Sequence, residues 1–140
     1  MDPEVTEILN EYFDAYNLFL IDLEIKAASF LAMANLYSIN INKINVGIIL
    51  GEIDGTDINL FELSSQGQKI SVIAIGIYAY TTYYRYIEII LMNMLLDKNI
   101  NVDRYYTFHQ CVMTSLIANI KMLELIEIFS KTQPNARSIP

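Results

Sequence analysis

The sequence predicts an all-α protein: an antiparallel helical bundle of three long helices and one short helix. Three observations carry this. Apolar residues recur at helical spacing along three long stretches. Polar breaks rich in Asn, Gly and Ser separate them. The stretch 70–96, ISVIAIGIYAYTTYYRYIEIILMNMLL, holds only two charges, Arg85 and Glu88. Such a segment is too apolar for a surface element, and belongs at the centre of a bundle, in a membrane, or between subunits.

The first helix opens at Asp2-Pro3. Asp2 can cap free N–H groups, and Pro3 suits the first helical position. Glu4 and Glu7 complement the positive end of the helix dipole. Apolar residues at 5, 8, 9, 12, 13, 16, 19, 20, 23, 27, 30, 31, 34 and 37 make one stripe, sustained for about nine turns. The opposite face is acidic at first, with Glu4, Glu7, Glu11 and Asp14. It then turns apolar, with Leu18, Ile21, Ile25, Ala32 and Leu36. A helix that begins with one wet face and continues with apolar residues on two sides calls for burial on both.

SININ at 38–42 reads as a break, followed by a short helix over 42–52 in which Gly47 and Gly51 would form a small-residue face. The alternative for this region is a β-hairpin at 46–63, turned by Asp54-Gly55, which would make the protein α+β. DGTD at 54–57 is not a calcium loop, because Glu62 falls outside the twelve-residue frame such a loop needs. SSQGQ at 64–68 reads as a second polar break before the central helix. On that helix Thr81, Arg85 and Glu88 share a narrow stripe with Tyr78 and Met92, and Gly76 weakens it locally. Asp97-Lys98-Asn99 ends it, and Asn101 or Asp103 caps a last helix over about 102–131. The short connection makes these two helices an antiparallel hairpin. Residues 1–132 read as a single domain and 133–140, with Pro134 and Pro140, as a C-terminal tail. No internal repeat is legible, and no heptad run long enough for a coiled coil.

The composition says what these helices must solve. Of 140 residues, 54% are hydrophobic and 18% charged, against about 45–50% and about 25% in typical domains. So small a protein cannot hide that surplus in its own interior. The net charge of −7 arises from the seven acidic residues within 1–24, where there is no Lys or Arg; the remainder is neutral. No basic cluster exists, so nucleic-acid binding is not expected. Cys111 is the single cysteine and can form no intrachain disulfide. The acidic start MDPEVTEILNE is unlike a secretory signal, so an intracellular or virion-associated location is expected. Abundant Ile, Asn and Tyr are common where genomes are AT-rich, viruses among them.

The chemistry-bearing residues do not assemble into a site. His109 and Cys111, two apart on a helix, point in different directions and cannot share a metal. A di-iron carboxylate centre needs Glu-x-x-His on two helices, and the residue three before His109 is Tyr106. No nucleophile elbow and no phosphate loop is present. No catalytic, cofactor-binding or metal residue is assigned, no cofactor is expected, and the protein is read as not an enzyme. Arg85 and Glu88, at i and i+3, can neutralise each other, or Arg85 can pair across a subunit boundary with an acid of the first helix. Tyr78, Tyr80, Tyr83, Tyr84, Tyr86, Tyr105 and Tyr106 crowd the central helix and the start of the last, as protein contact or core.

The expected interface is Leu18, Ile21, Ile25, Leu36, Tyr80, Tyr83, Tyr84, Arg85 and Glu88. The expected function is that of a structural or self-assembling helical homo-oligomer, with a virion or particle component as one such role. One alternative is an interaction or regulatory module that binds a partner's helix and meets a basic protein surface with its acidic first helix. Another is a membrane-associated protein. Against a lipid span, Arg85 and Glu88 lie past the middle of 70–96, where each charge costs about 2.5–3.5 kcal/mol.

Overall fold

A computed structural model of the chain describes residues 1–132. The expected tail at 133–140 lies outside the described residues. Among the described residues there are three helices: α1, Pro3–Ile49; α2, Leu60–Leu95; and α3, Val102–Thr132. No strand occurs among the described residues, so the hairpin alternative at 46–63 is not formed. The expected short helix at 42–52 is not separate either. α1 runs through SININ without a break and takes in most of that segment. Asn and Ser are poor helix formers, but the loss is a fraction of a kcal/mol per residue, and Ile41 is buried among them.

The caps explain the helix limits. Asp2 Oδ1 accepts from the Glu4 N–H at 2.9 Å, and the Thr6 N–H donates to the Asp2 carbonyl at 3.0 Å. α1 closes in a Schellman motif: Glu52 N–H bonds the Gly47 carbonyl and Gly51 N–H the Ile48 carbonyl. Gly51 sits at φ 75°, where a side chain would be strained. Gly47 and Gly51 therefore form no small-residue face. Gly51 ends the helix, and Gly47 leaves room for Ile53, whose Cδ1 would lie 2.5 Å from an added Cβ. Asn59 caps α2 by accepting from the Glu62 N–H at 3.0 Å. The expected break at 64–68 lies inside α2. Asn93 pairs with both backbone groups of Ile100, at 2.9 and 3.0 Å, across the turn after α2. Asn101 caps α3 through the Asp103 N–H at 3.1 Å.

The chain forms two compact units. Among the described residues, unit 1 comprises Met1–Ala27 and Ile75–Leu116, and unit 2 comprises Ala28–Ala74 and residues 117–132. Each holds a segment of all three helices. In unit 1, Thr82 meets His109 and Tyr86 meets Tyr106, so α2 and α3 run antiparallel there. In unit 2, Phe61 meets Phe129 and Gln68 meets Asn119, in the same sense.

Burial along α1 follows a seven-residue step: Phe13, Leu20, Ala27, Ala34 and Ile41. That is the spacing of a coiled-coil seam, and it was hidden in the sequence because the outward positions are apolar too. α3 turns its less exposed side chains inward at alternating steps of three and four, with His109 and Asn119 among them. α2 is covered on two sides. In unit 2 its seam toward α1 is small and polar: Ser64, Gly67, Gln68 and Ser71 line a cleft with Ala34, Tyr37 and Ile41. Small residues let the two backbones approach, and this is why 64–68 looked like a break.

Candidate functional site

In unit 1 the segments of α1 and α2 are joined by a polar cluster. Arg85 Nε donates to Glu24 Oε1 at 2.8 Å and Nη2 to Oε2 at 3.1 Å, a two-point fork. Its Nη1 donates to Asn17 Oδ1 at 2.9 Å. With its oxygen so engaged, Asn17 presents its amide NH2 to Glu88. Glu88 is only 3% exposed, and its Oε1 has no hydrogen-bond partner. Desolvation raises its pKa above the ordinary 4.5; Arg85 and the Asn17 hydrogen bond oppose this, and nearby Asp14 adds to it. The hydrogen bond to Glu24 raises Arg85 in turn. The i, i+3 neutralisation expected of Arg85 and Glu88 is therefore not the main pairing. The fork goes to an acid of the first helix in the same chain.

Tyrosines pack around this cluster. Tyr84 lies 4.5 Å from Tyr80, 5.3 Å from Tyr83 and 6.4 Å from Tyr16, ring centre to ring centre. The Tyr16 hydroxyl is pushed up to about 12, chiefly by desolvation and then by Tyr80, Tyr84 and Glu88. Further along α2, Thr82 Oγ1 donates to the Ala79 carbonyl at 3.2 Å and lies 2.9 Å from His109 Nδ1. A hydroxyl has one proton, so when Thr82 gives it to the Ala79 carbonyl, His109 is the donor, with its hydrogen on Nδ1. His109 thus meets a side chain of α2. Among the described residues no three His, Cys, Asp or Glu side chains converge to hold a metal ion.

The nine residues expected at an interface divide into two sets. Leu18, Ile21, Ile25, Leu36, Tyr80 and Tyr83 are exposed, Leu18 by 68%, Ile25 by 61% and Leu36 by 60%. Tyr84 and Arg85 are half-buried, and Glu88 is buried within unit 1. Beside apolar cores that include Phe13 and Leu20 in unit 1 and Leu60 and Phe61 in unit 2, some polar side chains are buried and some large apolar ones are exposed. Thr81, Thr82, Ser65 and Glu88 are inside, while large aliphatic side chains of α1 face out. In unit 1 the outward face of α1 passes from Glu4, Glu7, Glu11 and Asp14 to Leu18, Ile21 and Ile25. In unit 2 it carries Leu36, Ile39, Val46 and Ile49. A groove of about 360 Å³ opens beside it, lined by Met33, Leu36, Tyr37, Ile41 and Leu63.

Asn17 and Glu24 were not singled out from the sequence, and nor was the Thr82–His109 contact. Asn17 and Glu24 stand seven apart and flank the buried line at Leu20 and Ala27. A polar pair at that spacing beside an inward stripe was the available signal.

No family model, no curated protein and no solved structure matches the chain. No helix among the described residues is long and apolar enough to cross a membrane.

Proposed function

We propose that the protein is a non-enzymatic, self-associating structural subunit whose copies meet through the outward apolar face of α1. The observation that supports this is the exposure of Leu18, Ile21 and Ile25 in unit 1 and of Leu36, Ile39, Val46 and Ile49 in unit 2. The outer face of a bundle helix is where charged and polar residues normally meet water. Apolar residues there are stabilised by removal from water, at about 25 cal/mol per Å². Light scattering coupled to size exclusion, in aqueous buffer without detergent, reads the outcome directly. A mass at a multiple of 16.1 kDa is expected, and Leu18→Lys and Leu36→Lys each lower it without loss of helical circular dichroism. A clean monomer at micromolar concentration sinks the proposal.

A second reading rests on the start of α1, where Glu4, Glu7, Glu11 and Asp14 are all exposed. Such a face suits a partner protein with a basic surface. Binding of that kind weakens steeply as salt rises, and salt-independent capture of a partner would count against it.

A further inference from the structure

In unit 1 one guanidinium stands between two carboxylates on different helices. Arg85 directs Nε and Nη2 to Glu24 and Nη1 to Asn17, all on α1. Glu88 follows Arg85 on α2 at i+3, so the two side chains share a face of that helix. Glu88 is 3% exposed, and its Oε1 has no hydrogen-bond partner. A neutral carboxyl tolerates that place far better than an ionised one. From α1, Asp14 opposes its ionisation, and the Tyr16 hydroxyl feels its charge. From α2, Arg85 is the cation that acts on it. From α3, Tyr105 acts on Arg85.

We propose that Arg85 is a proton-controlled latch between α1 and α2 in unit 1. With Glu88 protonated, Arg85 grips Glu24 across the two helices. When Glu88 gives its proton to solvent, Arg85 turns to the new carboxylate and leaves Glu24 to water. The two carboxylates compete unequally for the one cation. Glu24 keeps 30% of its side-chain exposure, so water can replace Arg85 there, whereas Glu88 is sealed from it. Attraction between charges also strengthens as water is excluded. The move is short: residues at i and i+3 are neighbours on a helix, so a change of Arg85 rotamer suffices. Asn17 couples the two states, because its oxygen accepts from Arg85 while its NH2 donates to Glu88. The proton thus sets the partner of Arg85 and not stability alone. A tie between helices becomes a pair within α2, and α1 and α2 loosen in unit 1 as pH rises while both helices persist.

NMR of the full native chain, labelled with nitrogen and carbon isotopes and titrated from about pH 5 to about pH 8, tests it. At the acid end the Arg85 Nε–H is expected to show Overhauser contacts to the Glu24 side chain. As the Glu88 carboxyl carbon titrates, those contacts are expected to fade and contacts to Glu88 to replace them, both at the same midpoint. In Glu88→Gln, which stays neutral, the Glu24 contacts are expected to persist across the whole range. A Glu88 that titrates while Arg85 keeps Glu24 overturns the exchange. A change of partner that survives in Glu88→Gln overturns Glu88 as its trigger. A Glu88 carboxyl that does not titrate in this range overturns the proton as the control.

Discussion

Arg85 holds Glu24 by two parallel hydrogen bonds, 2.8 and 3.1 Å long, although Glu88 is its nearer neighbour in sequence. The grip ties α1 to α2 within unit 1, and the third donor, to Asn17, extends it toward Glu88. The side chains of Arg85 and Glu24 keep 25% and 30% of their exposure, so water screens part of the attraction. Arg85→Ala is expected to cost about 2 kcal/mol, between the roughly 0–1 of exposed pairs and the roughly 3–5 of fully buried ones. Glu24→Gln, which keeps the shape, should lose about 1. Urea unfolding checks both: the midpoint falls at unchanged slope. An unaltered midpoint for Arg85→Ala would show that the cluster adds nothing to stability.

Glu88 carries a pH dependence of definite sign. Burial raises its folded pKa above the ordinary 4.5, so the folded state holds its proton more tightly than the unfolded chain does. The stability this gives is fully present below about 4.5 and is lost as pH rises through the raised folded value. Glutamine copies the protonated carboxyl in shape and stays neutral. Glu88→Gln should therefore be more stable than the native chain at neutral pH, with the advantage vanishing in acid. Urea midpoints measured across that range test it, and equal midpoints at all pH values would place Glu88 in contact with water or an unrecognised donor.

The all-helical class was legible because the inward stripe of α1 and the polar stripe of α3 follow helical spacing through many turns. Asp103, Thr107, Gln110, Thr114, Lys121 and Glu124 are all exposed. What misled was polarity used as a guide to inside and outside. Ser64, Gly67 and Ser71 line the α1–α2 seam of unit 2, yet read as a break, because small polar residues serve close helix packing as well as turns. SININ read as a break because Asn and Ser are poor helix formers, though at only a fraction of a kcal/mol per residue. Of the cluster in unit 1, Arg85 and Glu88 stood out as charges in an apolar run. Asn17 and Glu24 did not, since Glu24 merged with the acidic residues before it. Partner choice across helices depends on register, and one helix's sequence does not contain that.

The contact between Thr82 and His109 should hold its register between α2 and α3 in unit 1. Thr82→Val keeps the volume, removes the hydroxyl 2.9 Å from His109 Nδ1, and leaves that nitrogen without its partner. A loss of roughly 1–3 kcal/mol is expected, read as a lowered urea midpoint. In the native chain, nitrogen NMR of the neutral ring should show the Nδ1–H form. The opposite tautomer would mean that Thr82 donates to His109 and releases the Ala79 carbonyl.

Two glycines of α2 should respond in opposite directions to alanine. At Gly67 an added Cβ would lie 2.9 Å from Tyr37 Cβ and 3.4 Å from its Cγ. Tyr37 Cβ is fixed to the α1 backbone, so no change of rotamer relieves the clash, and the two segments in unit 2 must part. Overpacking of this kind costs about 1–3 kcal/mol, more than the gain of about 1 that alanine brings to a helix interior. At Gly76 nothing beyond its chain neighbours and the helix's own adjacent backbone lies within 4 Å of the added carbon. There only the helix preference acts, and Gly76→Ala should stabilise by about 0.5–1 kcal/mol. Thermal unfolding of the two variants beside the native chain should therefore bracket it, Gly67→Ala below and Gly76→Ala above. If Gly67→Ala also melted higher, the close approach of α1 and α2 at Tyr37 would not exist in solution.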